Sequence, residues 1–214
     1  MIINKNLPKL TAGMKIGLFG GSFNPPHQGH LLVAMQALKS LSLDYILWMV
    51  SPQNPLKSSN NLADLYDRVV ASKKLVKHNK KIIVTDLEKH LNTNYSYNTI
   101  RFLKKKYPSV NFVWIMGADS FAELHKWYLG EKIMYNIPVA VINRPRSNFI
   151  ALNSPIAQKF NRFRLSENKY RLLPFLSPPR WCFIFTNFSY LSSTQVRDKK
   201  KINNIVTTRL NHDI

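Results

Sequence analysis

Residues 18–30, LFGGSFNPPHQGH, set the frame for everything else in the chain. The stretch leaves an apolar run, KIGLFG (15–20), that predicts a β-strand. It enters residues 30–41, where apolar side chains at 31, 34, 35, 38 and 41 follow helical spacing. Between the two, Gly20 and Gly21 lack a Cβ, so the backbone can bend sharply and come close to a ligand. Pro25 and Pro26 restrict φ and stiffen the turn. His27 and His30, three apart, share one side of a first helical turn. The free N–H groups and dipole of a helix start favour an anion. Two imidazoles aimed at one point can donate to phosphate oxygens. A helical zinc site would instead space its histidines four apart around a glutamate, and none is present here. Neither Gly-x-Gly-x-x-Gly nor Gly-Lys-Ser/Thr occurs in the stretch.

Strand and helix patterns alternate outward from this point. YILWMV (45–50), KIIVTD (81–86), VNFVWIMG (110–117), IPVAVIN (137–143) and RWCFIF (180–185) read as strands. Residues 62–76 and 95–107 read as helices. One or two more are expected within 119–134, one near 154–163, and a last one opening at Thr194 with Ser192 or Ser193 as its cap. Otherwise residues 144–180 show no clear period. The alternation predicts an α/β fold, a doubly wound parallel sheet. YILWMV and NFVWIM are continuously apolar, as strands buried on both faces should be. One domain is expected over 1–214, with a core at 15–197 and a short basic tail at 198–214.

Hydrophobic residues form 45% of the 214, which marks a globular chain and excludes disorder. No apolar run approaches the ~20 residues of a membrane span. The start, MIINKNLPKLTAG, lacks the apolar stretch of a signal peptide, and Cys182 is the sole cysteine. A cytoplasmic place and no membrane partner are therefore expected. Lys and Arg outnumber Asp and Glu by 31 to 11, net +20. Such a field attracts anions without identifying one, and a lysine-biased solvated surface accounts for most of the excess.

GGSFNPPHQGH resembles the His-x-Gly-His signature of the nucleotidyltransferase superfamily. Further stretches resemble the nicotinate-nucleotide adenylyltransferases within it. They are SPQNPLK (51–57), NYSYNTIRFLKKKYP (94–108), FVWIMGADSFAELHKW (112–127), INRP (142–145) and LSSTQVR (191–197), in the family's order. The resemblance implies a Rossmann-like sheet of the His-x-Gly-His type and adenylyl transfer from ATP to nicotinate mononucleotide. Deamido-NAD and pyrophosphate would form, and Mg²⁺ would bridge phosphates through ATP and water rather than protein ligands.

By the same resemblance His30 stabilises the α-phosphate in the transition state, with His27 assisting. Gly20, Gly21, Ser22, Phe23 and Gly117 belong to the ATP site. Asp119 accepts from ribose hydroxyls, its plain alternative being a helix N-cap. Ser192, Ser193 and Thr194, which alone would suggest only a cap, hold the leaving phosphates with Arg197. Trp127 stacks on the pyridine ring, although an aromatic at helical spacing is more often core. Asn54, Tyr95 and Ser96 contact the nicotinate end, and Lys57 meets phosphate or is one more surface lysine. The Lys104, Lys105, Lys106 run is a solvated helix face.

After Arg197 the tail shows no good match to the family's usual closing helices, and 146–180 match it only loosely. The sequence leaves homo-oligomer formation open. Rival acceptors are phosphopantetheine and nicotinamide mononucleotide. A rival of another class is a non-catalytic, basic nucleic-acid-binding protein, which the charge motivates. No zinc knuckle or RNP aromatic pattern supports it, so no specific nucleic acid is expected.

Overall fold

The computed structural model describes residues 7–53, 62–143 and 148–185. Strand β1 (Lys15–Gly21) leads into helix α1 (Gln28–Ser40), and β2 (Tyr45–Val50) into α2 (Leu65–Val76). Then follow β3 (Ile82–Thr85), the single turn α3 (Leu87–His90), α4 (Ser96–Lys106) and β4 (Asn111–Gly117). Next come α5 (Ala118–Ala122), α6 (Gly130–Asn136), β5 (Val139–Ile142), α7 (Asn148–Leu152), α8 (Pro155–Lys159), β6 (Arg164–Leu165) and β7 (Trp181–Ile184). Short 3₁₀ segments cover Leu124–Lys126, Asn161–Phe163 and Glu167–Phe175. No helix among the described residues is long and apolar enough to cross a membrane.

The strands make one seven-stranded sheet in the order β3-β2-β1-β4-β5-β7-β6. Every pairing is parallel. Ile16 of β1 stands opposite Tyr45 on one side and Phe112 on the other. The chain winds outward from β1 through β2 to β3, then restarts beside β1 at β4 and winds the opposite way. Burial on both faces explains the continuously apolar strands. Ile16, Leu18, Leu47, Met49 and Trp114 pack with α4, α5 and α6 on one face. Phe19, Ile46, Trp48, Val113 and Ile115 pack beneath α1 on the other. The period of two along each strand thus fills two cores at once.

The 45–50 strand has the expected bounds. The first helix starts two residues earlier than its apolar spacing suggested, because His27 takes an extended backbone (φ −147°, ψ 169°) as the N-cap. The second starts later, at Leu65, where the Asp64 carboxylate caps it by accepting from the Tyr66 N–H at 2.7 Å. The 119–134 stretch divides into α5, a 3₁₀ turn and α6. Turn α3, helix α7 and the two-residue β6 were not anticipated. The helix expected from Thr194 lies outside the described residues.

Gly20 makes the close fit between the two central strands possible. A Cβ there would stand 2.7 Å from the Trp114 ring, which is fully buried. A second tie is Arg68 on α2, only 2% exposed. Its Nε donates to the Ala63 carbonyl at 2.9 Å. Nη1 donates to the Ser22 and Ser51 carbonyls, both at 2.7 Å, and Nη2 to Pro52 at 2.8 Å. Desolvation pulls the guanidinium pKa below its usual value, and Asp64 opposes the shift. One side chain therefore holds the turns after β1 and β2 against the start of α2.

Two stability outcomes follow from this packing. Arg68→Ala leaves buried carbonyls without donors and is expected to cost roughly 3–5 kcal/mol in chemical denaturation, as for other broken buried charge networks. Gly20→Ala forces the Trp114 ring aside and is expected to cost about 1–3 kcal/mol by the same measurement.

Candidate functional site

Beyond β1 the chain passes through Ser22, then Phe23 at φ 44°, then a cis Asn24–Pro25 bond. The Phe23 ring stacks on Trp48 at 4.3 Å and meets Phe19 edge-on at 5.4 Å. It anchors the turn in the core. Asn24 Oδ1 accepts from the Ala63 N–H at 3.2 Å, tying the same turn to the approach of α2. The backbone N–H of His27 donates to His30 Nδ1 at 3.3 Å. The two imidazoles stack with centroids 3.8 Å apart, and His30 meets the Phe23 ring edge-on at 5.0 Å. An Nδ1 that accepts leaves the proton of the neutral ring on Nε2, so His30 presents an N–H donor at its far edge.

A cleft of about 330 Å³ opens at the carboxyl ends of β1 and β2, where ligands of open α/β sheets bind. The end of β1 contributes Gly20 and Gly21 to it, the turn beyond adds Ser22, the residue after β2 is Ser51, and α3 adds Glu88. The entry to α4 adds Asn94, Tyr95 and Ser96. The segment that follows α5 adds Lys126, Trp127 and Tyr128. The indole of Trp127 is half-buried. The Tyr95 and Tyr128 rings meet at 4.4 Å, tilted by 39°, and both are exposed. Aromatic walls with hydroxyl, amide and ammonium groups between them suit a flat ring bearing polar substituents.

Glu88 is 2% exposed. Burial pushes its carboxyl pKa up, and hydrogen bonds from Ser51 and Thr99 oppose the rise. Lys126, by contrast, is an exposed cation.

Six of the residues singled out in the sequence share the cleft: Gly20, Gly21, Ser22, Tyr95, Ser96 and Trp127. Phe23 does not offer its ring to a ligand, because that ring is sealed against Trp48. His27, His30, Gly117 and Asp119 lie outside the cleft lining, at the carboxyl ends of the central strands. Gly117, not Asp119, is the N-cap of α5, and Asp119 stands exposed in its first turn. The capping alternative for Asp119 is thereby set aside. Asn54, Lys57, Ser192, Ser193, Thr194 and Arg197 fall outside the described residues.

Sequence reasoning missed Ser51, Glu88, Asn94, Lys126 and Tyr128 as lining residues, and Arg68 behind them. Lys126 and Tyr128 flank Trp127 and were within reach of that reading. Nothing in the residues around Arg68 sets it apart from the other cations of a basic chain. Among the described residues, no group of three or more His, Cys, Asp or Glu gathers in a way that could hold a metal ion.

Comparison with known proteins converges on one family. The sequence model of the cytidylyltransferase-like family matches residues 18–199. A probable nicotinate-nucleotide adenylyltransferase of Agrobacterium fabrum strain C58 is 47% identical over 188 residues, 88% of this chain and 100% of the relative. One from Rhizobium johnstonii is 46% identical over 192 residues, 90% and 96% of the two chains. Among solved structures, the Plasmodium falciparum nicotinic acid mononucleotide adenylyltransferase complexed with NaAD superposes with a TM-score of 0.65. It is 20% identical, over 86% of this chain and 83% of that one. The winding of the sheet and relatedness along nearly the whole length of curated enzymes lead to one conclusion: the chain belongs to the nicotinate-nucleotide adenylyltransferases of the cytidylyltransferase-like family.

Proposed function

We propose that this enzyme transfers the adenylyl group of ATP to the 5′-phosphate of nicotinate mononucleotide, releasing pyrophosphate and forming deamido-NAD for NAD biosynthesis. The observation that carries this is the adjacency of two half-sites. The β1 turn with its paired histidines suits a polyphosphate, and the aromatic cleft beside it suits a pyridine ring. The substrate phosphate is already an anion, so no enzyme nucleophile is required. The protein has to align two anions and stabilise charge at the α-phosphorus.

In this reading the His30 Nε2–H donates to the α-phosphate oxygens as the fifth bond to phosphorus forms. The neighbouring His27 ring holds the orientation of His30. Gly20, Gly21 and Ser22 bring the backbone close to the nucleotide, with Gly117 and the Asp119 carboxylate at the end of β4 serving the ribose. Ser192, Ser193, Thr194 and Arg197 take the leaving pyrophosphate. The acceptor lies in the aromatic cleft, its ring on Trp127, with Tyr95, Ser96, Asn54 and Lys57 around its polar groups. When bound with ATP, Mg²⁺ would supply charge screening at the phosphates. The described residues offer no cage of their own for it, and no step here runs through it. Soluble nucleotide substrates and a free, buried Cys182 fit a cytoplasmic place.

Incubation with labelled ATP, Mg²⁺ and each acceptor in turn tests the assignment. Labelled deamido-NAD is expected from nicotinate mononucleotide. Product from phosphopantetheine alone, or none beside salt-sensitive RNA binding, overturns it. His30→Ala is expected to lower kcat about 10²-fold or more, while costing no more than the ~1 kcal/mol of a lost helix cap in stability. Trp127→Ala is expected to weaken acceptor binding by about 1–3 kcal/mol, the scale of aromatic stacking on a base. An effect on the KM for ATP alone would displace the stacking role from Trp127.

A further inference from the structure

Glu88 is the buried acid of the cleft, and its contacts run in two directions. Its Oε1 accepts from the Thr99 hydroxyl on α4 at 3.3 Å. The Ser51 side chain, one residue past β2, also stabilises this carboxylate against the rise that burial imposes, while the Ser51 hydroxyl donates to the Gln53 carbonyl at 3.3 Å. The carbonyl of that serine accepts from Arg68, as does the carbonyl of Ser22. Arg68 thus ties the β1 turn to Ser51, and Glu88, beside Ser51, carries the contact on to α4 through Thr99.

The far end of these contacts reaches the aromatic wall. The backbone N–H of Thr99 donates to the Tyr95 carbonyl at 3.3 Å. The Glu88 carbonyl accepts from the Thr93 N–H at 3.1 Å, and the Thr93 hydroxyl accepts from the Tyr95 N–H at 3.2 Å. Glu88 thus grips the segment before α4 through both its side chain and its backbone. Asn98 Nδ2 adds a bond to the Thr93 hydroxyl at 3.2 Å, while Tyr95 itself is exposed and caps α4 without a side-chain hydrogen bond.

We propose that Glu88 is the positioning residue for the acceptor half of the cleft. Through Thr99 on its side chain and Thr93 on its backbone it fixes the Tyr95 and Ser96 wall at the spacing a pyridine mononucleotide requires. The inference rests on the reading above that the acceptor occupies this half. The role is one of geometry. The carboxylate accepts from the Thr99 hydroxyl with the Ser51 side chain beside it. Burial opposes the charge, and the two hydroxyls compensate in part. Glutamine can keep both links, its oxygen accepting from Thr99 and its amide donating to Ser51. Alanine keeps neither.

The test uses the full chain as wild type, E88A, E88Q and T99V. It measures separate KM values for nicotinate mononucleotide and ATP, together with amide hydrogen exchange over residues 93–99 without substrate. E88A is expected to raise the acceptor KM about tenfold, the scale of losing a pair of hydrogen bonds, with the KM for ATP within about twofold and faster exchange over 93–99. E88Q is expected to restore the acceptor KM to within about threefold of wild type. T99V, which removes one link, should fall between.

Equal rises in both KM values overturn the proposal, as does an unchanged acceptor KM. An E88Q as impaired as E88A overturns it too, since charge and not position would then be at work. Should E88A fail to fold, the same comparison is made with T99V, and an unchanged acceptor KM there is the overturning result. Should the wild type give no product from nicotinate mononucleotide, the functional reading fails on its own. Exchange over 93–99 then decides the positioning role, and rates unchanged in the variants reject it.

Discussion

Everything at the working edge of this sheet depends on how the backbone is satisfied where the strands stop. A parallel strand that ends beneath a ligand site leaves carbonyl groups without ladder partners, and buried carbonyls need donors. Arg68 meets that need by placing one guanidinium against four of them, at Ser22, Ser51, Pro52 and Ala63. The charge bears a desolvation cost that lowers its pKa. In return, two turns whose shared ladder ends with the Ser51 N–H on the Gly21 carbonyl become one rigid rim. A planar fork suits this task in a way that a single ammonium does not.

The rim matters because the topology concentrates function there. Winding outward from β1 and again from β4 in opposite directions opens a crevice at the switch between them. The first turn then serves two ends with the same residues. His27 caps α1, and the bond from its N–H to His30 Nδ1 directs the donor edge of His30. Phe23 keeps the loop from drifting by lying flat on Trp48. Local stability and, in the proposed function, preorganisation for phosphate chemistry come from one set of contacts.

The parts of the molecule legible in its sequence are those governed by local pattern. YILWMV predicts β2 to the residue because a strand buried on both faces has an unbroken apolar run with sharp ends. Trp127, Tyr95 and Ser96 could be grouped only through the family resemblance of the motifs around them, and the fold brings them to one cleft. What escaped is tertiary. Arg68 lies 46 residues from Ser22, and nothing near it in the chain announces a buried cation. Glu88 sits in a single helical turn too short to show a period, and its partners Ser51 and Thr99 come from two other elements. Strand β6 is two residues long and is held by pairing with β7 rather than by any pattern of its own. Gly20, whose lack of a Cβ suggested room for a ligand, answers as much to the Trp114 ring behind it.

The four indoles of this chain are distributed unequally. Trp48, Trp114 and Trp181 are sealed inside the two cores, while Trp127 is half-open beside Tyr95 in the cleft. Near-ultraviolet emission from the folded protein therefore has a constant interior component and a small part that senses whatever enters the cleft. An aqueous quencher reaches the second and spares the first. The enzyme carries its own optical gauge of occupancy, with no label added.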